Sequence, residues 1–155
     1  MPGGLYERDA LAWAEQQAVL LGRLAAGERT NEAVDWAHVI EEVRDVGLSE
    51  LRACQSLVRQ ALVHLLKLHQ APCNQAANHW RGELVGFLAD AQARFTPSMR
   101  QRLDLEALYR RAVRQVEAGE CGTPCALPIS CPFEPEDLLA EGPDLAALLA
   151  RLGAG

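Results

Sequence analysis

Apolar residues recur at spacings of three and four along almost all of this 155-residue chain, and alternating β-branched runs do not occur. Spacings of three and four place apolar side chains on one face of an α-helix, whereas strands need strict alternation. We therefore predict an all-α fold, a single-domain helical bundle of about five main helices followed by one or two short C-terminal helices. A hydrophobic content of 49% supplies one core at this length.

Three helices are predicted in the first half of the chain. The first runs from about Glu7 to Ala26, before a stop at Gly27, with an apolar stripe of Leu11, Ala14, Ala18, Leu21 and Ala25. The second begins at a cap on Asp35 and ends before Gly47, and its apolar face consists of Trp36, Val39, Ile40, Val43 and Val46.

The third predicted helix has the strongest pattern and should be central. It begins at a cap on Ser49 and runs from Glu50 to about Leu68, before Pro72. Its stripe consists of Leu51, Cys54, Val58, Ala61, Leu62 and Leu65. Polar residues then connect it to a fourth helix.

The fourth helix is predicted to begin near Trp80, and the fifth follows from a cap on Thr96 and a first-turn Pro97 to Gly119. The segments "PEDLLAE" and "PDLAALLARLG" predict two short helices. We predict a helical domain over residues 5–141 and a C-terminal helical extension over residues 142–155.

Charge and cysteine content limit the classes of function. A net charge of -6 and a pI near 5.2 repel phosphate backbones and anionic lipids. No apolar run approaches the roughly 20 residues of a membrane span, and the N-terminus lacks the pattern of a signal peptide. We therefore predict a cytoplasmic protein that does not bind membranes, for which nucleic acid is a disfavoured partner, and whose five cysteines are thiols.

Three cysteines near the C-terminus are the weak candidates for a metal site. Cys121, Cys125 and Cys131 are separated by three and five residues, among prolines. Zinc sites favour paired cysteines with gaps of two to four residues and a fourth ligand. The spacing therefore favours a loop that contains thiols, and Phe133 is predicted to anchor this loop on the core.

Two groups of polar residues could carry chemistry. His38, Glu42 and Asp45 share one helical stripe and are possible metal ligands, but the pattern favours the solvated or partner-facing polar surface that an amphipathic helix needs. Arg59 and His64 have a spacing that resembles the arginine-histidine signature of HEPN-type helical ribonucleases, but a regular helix places the two side chains roughly 140° apart. The pattern therefore favours a half-buried histidine at His64 over a nuclease site.

The order of several segments resembles the bacterial family called domain of unknown function 29. These segments are "YERDALAWAEQQAVLL", "VDWAHVIEEVRDVGLSELR", "LVHLLKLHQAP", "WRGELVGFL", "TPSMRQRL" and "LPISCPFEPEDLL". The resemblance covers about Leu5 to Leu139 and implies an all-helical, mostly cytoplasmic bacterial protein without an established activity. It provides no catalytic mechanism, and it matches Cys131 but neither Cys121 nor Cys125.

We predict a protein-interaction module that has no chemistry or cofactor of its own and pairs with itself or another protein through an apolar helix face. The candidate functional surface consists of His38, Glu41, Glu42, Trp80 and Arg81. The alternative is an enzyme, either a HEPN-like ribonuclease or a metal-binding protein. Its candidate catalytic residues are Arg59, His64, Lys67 and Glu42.

Overall fold

The structure is a computed structural model that describes residues 4–119 and 126–154. Within these ranges it contains no strand, one 3-10 helix over Pro97–Arg102, and seven α-helices. The α-helices are α1 (Leu5–Arg8), α2 (Ala10–Ala25), α3 (Trp36–Gln70), α4 (Ala77–Arg94), α5 (Leu105–Ala118), α6 (Pro135–Leu139) and α7 (Leu145–Leu152). The predicted all-α fold class is confirmed.

The chain divides into two compact units by its internal contacts. Unit 1 is Met1–Leu48 and unit 2 is Ser49–Gly155, and α3 is a continuous helix that contributes residues to both. None of the helices in the described ranges combines the length and apolar composition that crossing a bilayer requires.

The predicted break between the second and third helices is wrong, because Trp36–Gln70 is one helix of 35 residues. Gly47 and Ser49 lie inside it. A single glycine costs about 1 kcal/mol relative to alanine in a helix interior, and the hydrogen bonds of the surrounding turns offset that cost. Only proline removes a helical hydrogen bond outright, and the helix ends two residues before Pro72.

The first predicted helix is divided at Asp9, where the backbone leaves the helical region with φ -154 and ψ 86. The Asp9 carboxylate accepts a hydrogen bond from the Ala12 amide at 3.0 Å and so caps α2. The predicted stop at Gly27 is confirmed by its positive φ of 79.

The predicted cap at Thr96 is also wrong. Its side chain does not cap, and Pro97–Arg102 forms a 3-10 helix instead. The α-helix begins only at Leu105, because the Asp104 carboxylate accepts the Ala107 amide at 2.9 Å.

The core of unit 2 lies around the second half of α3, and the predicted stripe of the third helix is confirmed. Leu51, Cys54, Val58, Ala61, Leu62 and Leu65 are all buried. Side chains from every later helix complete this core, including Leu84, Leu88, Tyr109, Leu138, Leu148 and Leu152. Phe133 is buried among them, as predicted.

Candidate functional site

An apolar stripe on the first half of α3 faces solvent. Its residues are large, and their exposed fractions are 55% for Trp36, 48% for Ile40, 70% for Val43 and 67% for Val46. We call these four residues the α3 stripe. The sequence predicted this apolar face correctly, but no residue in the described ranges 4–119 and 126–154 covers it.

The predicted apolar stripe of the first helix also lies outside the core of its unit. Ala14, Ala18 and Ala25 are exposed, Leu11 is 70% exposed, and Leu21 is half-buried. Together with the exposed Gly22 they form the α2 row. The buried face of α2 consists instead of Trp13, Gln17 and Leu20, so the predicted orientation of this helix is wrong.

Hydrogen bonds explain why α2 turns its other face inward. Trp13 Nε1 donates to Asp35 Oδ2 at 3.2 Å, and the Asp35 amide donates to Gln17 Oε1 at 2.8 Å. The buried Trp13 and Gln17 therefore lie against the start of α3, where polar groups need partners. A pattern of apolar residues alone does not predict these hydrogen bonds.

His38 lies at the centre of a small aromatic and acidic cluster in unit 1. Its Nδ1 lies 2.6 Å from Asp35 Oδ2, and its ring stacks on Tyr6 with centroids 4.1 Å apart. The hydrogen bond to His38 lowers the pKa of Asp35 below its ordinary value. Tyr6 donates to Glu42 Oε1 at 2.7 Å, and this bond raises the pKa of Tyr6 to about 12.

Two of the unit 1 candidates, His38 and Glu42, make contacts within this cluster. Glu42 holds Tyr6 of α1, and His38 holds Tyr6 and Asp35, whereas Glu41 and Asp45 are exposed. The contacts also define direction, because Gln17 contacts Asp35 just before α3, whereas Trp13, one turn earlier on α2, contacts the ring of His38 within α3. The α2 and α3 helices are therefore antiparallel.

The α2 row and the α3 stripe lie on the same side of this antiparallel pair. On a helical wheel with 100° per residue, the α2 row lies roughly 120° from the contact face of α2, and the α3 stripe lies roughly 120° from the contact face of α3. Both rotations run in the direction of increasing residue number. When two antiparallel helices face each other, equal rotations away from their contact faces bring both surfaces to the same side of the pair. Unit 1 is therefore a helical hairpin with one largely apolar side open to solvent.

In unit 2, His64 is buried and both of its ring nitrogens have partners. Nδ1 lies 2.8 Å from the Gln60 carbonyl, and Nε2 lies 2.6 Å from Glu83 Oε2. A carbonyl only accepts, so Nδ1 donates to Gln60, and Nε2 forms a hydrogen bond with the Glu83 carboxylate. This bond lowers the pKa of Glu83 below its ordinary value, with a further contribution from His79 at 3.3 Å.

Of the remaining unit 2 candidates, Lys67 lies close enough to Glu83 for its positive charge to lower the pKa of that carboxyl further. Arg59 donates to Gln115 on α5, Lys67 lies 5.6 Å from the centre of the Trp80 ring, and Arg81 is exposed. Lys67 and Trp80 form a cation-π contact between α3 and α4. The sequence did not single out Glu83, although His79 and Glu83 have the i, i+4 spacing of a helical ion pair.

The metal candidates can be placed only in part. Cys121 and Cys125 lie outside the described residues. The Cys131 thiol donates to the Phe133 carbonyl at 3.7 Å, and burial raises its pKa to about 11. Within residues 4–119 and 126–154, no three His, Cys, Asp or Glu side chains converge so as to hold a metal ion.

The position of Glu83 leads to a prediction about acid stability. Its folded-state pKa lies below the ordinary value of 4.5, so the stabilisation is present above about pH 4.5 and is lost as pH falls through the folded-state value. We expect wild-type stability to fall more steeply than that of Glu83→Gln below about pH 4.5. Urea unfolding at a series of pH values measures the difference, and parallel curves would contradict it.

Two comparisons relate the chain to known proteins. The family model described as "Domain of unknown function DUF29" matches residues 5–142. An α-helical protein of unknown function from Rhodospirillum rubrum, known from a crystal structure, is 33% identical to the chain. The match covers 97% of this chain and 98% of that one, with a TM-score of 0.73. No curated protein matches.

Proposed function

The chain belongs to the family described as domain of unknown function DUF29, and we propose that it is a self-associating helical module. Two copies pair through the open apolar sides of their unit 1 hairpins. The observation that carries this proposal is the exposure of the α3 stripe beside the α2 row.

The interior of unit 1 supports the proposal. Trp13, Gln17, Leu20 and Val34 are the side chains buried within its described part. A unit of about this size is marginal even with an ordinary core, because small units bury a small fraction of their surface. Covering the α2 row and the α3 stripe would give this hairpin the second apolar layer that it lacks.

The shape of the open side favours a second copy as its occupant. The α3 stripe presents large side chains, whereas the α2 row contains Ala14, Ala18 and Gly22, which permit close approach of another helix. In a dimer with a two-fold axis, the α3 stripe of one copy can contact the α2 row of the other, and the same contact is then made in the opposite sense. Two such hairpins can form a four-helix arrangement in which large side chains of one copy pack on small residues of the other.

Mutation of the α3 stripe tests the proposal. We expect wild type to sediment with about twice the chain mass of 16.9 kDa, and Val43→Glu to sediment as a monomer. A buried, unpaired carboxylate would weaken pairing by at least about 100-fold. Circular dichroism should show that Val43→Glu retains its helices.

Val85→Glu provides the matched control, because Val85 is an exposed valine on α4 in unit 2. This variant should associate as wild type does. A wild-type chain that stays monomeric at all concentrations tested would refute the proposal, as would equal effects of the two substitutions.

The predicted bacterial source and cytoplasmic location remain expectations from the sequence.

A further inference from the structure

A groove of about 660 Å³ runs along one face of α5 in unit 2. Val113 forms part of its apolar surface, and the extended segment over residues 126–129 forms the opposite wall. This volume lies within the range of small-molecule pockets, which are mostly apolar with a few convergent polar groups. The groove lies in unit 2, whereas the surface proposed for self-association belongs to unit 1.

The opposite wall of the groove is fixed by hydrogen bonds to α5. Tyr109 donates from its phenol to the Pro128 carbonyl at 2.9 Å, and the Cys131 amide donates to Glu106 at 2.8 Å. The next residue along this wall, Ile129, is 99% exposed and lines the groove. Ile129 therefore adds an exposed apolar side chain to the rim of the groove.

Charged groups give the groove a direction. Arg110 and Arg114 lie on successive turns of α5 with Val113 between them along the helix axis, and Glu117 lies about one turn beyond Arg114. Arg110 uses Nε for a 3.3 Å contact with Glu106, which leaves its terminal amino groups available. Two guanidinium groups on neighbouring turns can hold the oxygens of one carboxylate or phosphate.

We infer that this groove binds an alkyl chain that ends in a single oxyanion, with the chain along Val113 and Ile129 and the oxyanion between Arg110 and Arg114. The carboxylate of Glu117 disfavours a second anion at the other end. A carboxylate and a phosphate monoester share this chemistry, and titration separates them.

Calorimetric titration of the full chain with decanoate, decyl phosphate, decanol and decylamine tests the inference. We expect at least one of the two anions to bind saturably, about ten-fold or more tighter than decanol and decylamine. The tighter anion identifies the headgroup. Shortening that anion by one methylene should weaken its binding about four-fold, because each buried methylene contributes a constant increment.

The double variant Arg110→Gln/Arg114→Gln should lose the preference for the anion while its affinity for decanol is unchanged. Arg111→Gln is the matched control, since Arg111 is an exposed arginine on the same helix that does not line the groove. Three results would each overturn the inference: no saturable binding of either anion, binding of decylamine as tight as that of the anions, or equal effects of the double variant and Arg111→Gln.

Discussion

Leu65→Ala is expected to lower the free energy of unfolding by about 2–5 kcal/mol. Leu65 is fully buried in the second half of α3, within the core of unit 2. Truncation removes apolar contacts and leaves a cavity, because the close-packed side chains of this core relax only in part. Urea unfolding followed by circular dichroism measures this change.

Leu11→Ala is the matched control for that substitution. Leu11 is 70% exposed on α2, and exposed substitutions usually change stability by less than about 0.5 kcal/mol. The two variants should be compared at a protein concentration where the chain is monomeric. Equal losses from Leu65→Ala and Leu11→Ala would contradict the location of the main core in unit 2.

Trp13→Ala is expected to have the second large effect, confined to unit 1. A buried tryptophan truncated to alanine costs about 3–5 kcal/mol, and Trp13 also donates the hydrogen bond to Asp35. Unit 1 has few other buried side chains to compensate. We therefore expect α1 and α2 to unfold locally, with faster hydrogen exchange in residues 5–25 and unchanged exchange in residues 61–68.

Trp36→Ala separates this effect from the general loss of a tryptophan. Trp36 is 55% exposed, so the monomer should keep its stability and its exchange pattern within about 0.5 kcal/mol. The local-unfolding interpretation fails if Trp36→Ala also accelerates exchange in residues 5–25, or if Trp13→Ala leaves that exchange unchanged.

The sequence predicted the helices well where one apolar stripe dominates. In the second half of α3 the stripe from Leu51 to Leu65 is buried as expected, because burial of one apolar face is the strongest signal in an amphipathic helix. On α2 the pattern was ambiguous. The hydrogen bond that Trp13 donates to Asp35 and the one that Gln17 accepts from the Asp35 amide select the face that the stripe rule did not.

Helix boundaries depended on polar side chains that compete to cap. Asp9 and Asp104 cap where an unbroken helix and a Thr96 cap were predicted. Gly47 did not end a helix, since its cost is small beside that of proline. Each of these outcomes depends on a difference of about 1 kcal/mol, which local sequence does not resolve.

The candidate site could be predicted only as a set of residue types. His38 and His64 were both singled out, but their partners Tyr6 and Glu83 come from other helices and have no shared local spacing with them. The apolar face of Trp36, Ile40, Val43 and Val46 was predicted from helical spacing. Its exposure was not, because spacing identifies an apolar face without showing what covers it.

Hydrogen exchange of the wild-type chain at several protein concentrations tests self-association through unit 1 most directly. The α3 stripe should become more protected as concentration rises, so amides over residues 36–48 should slow, while those over residues 61–68 in the core of unit 2 should not change. Protection of residues 36–48 that is the same at every concentration would contradict pairing of two copies through this surface.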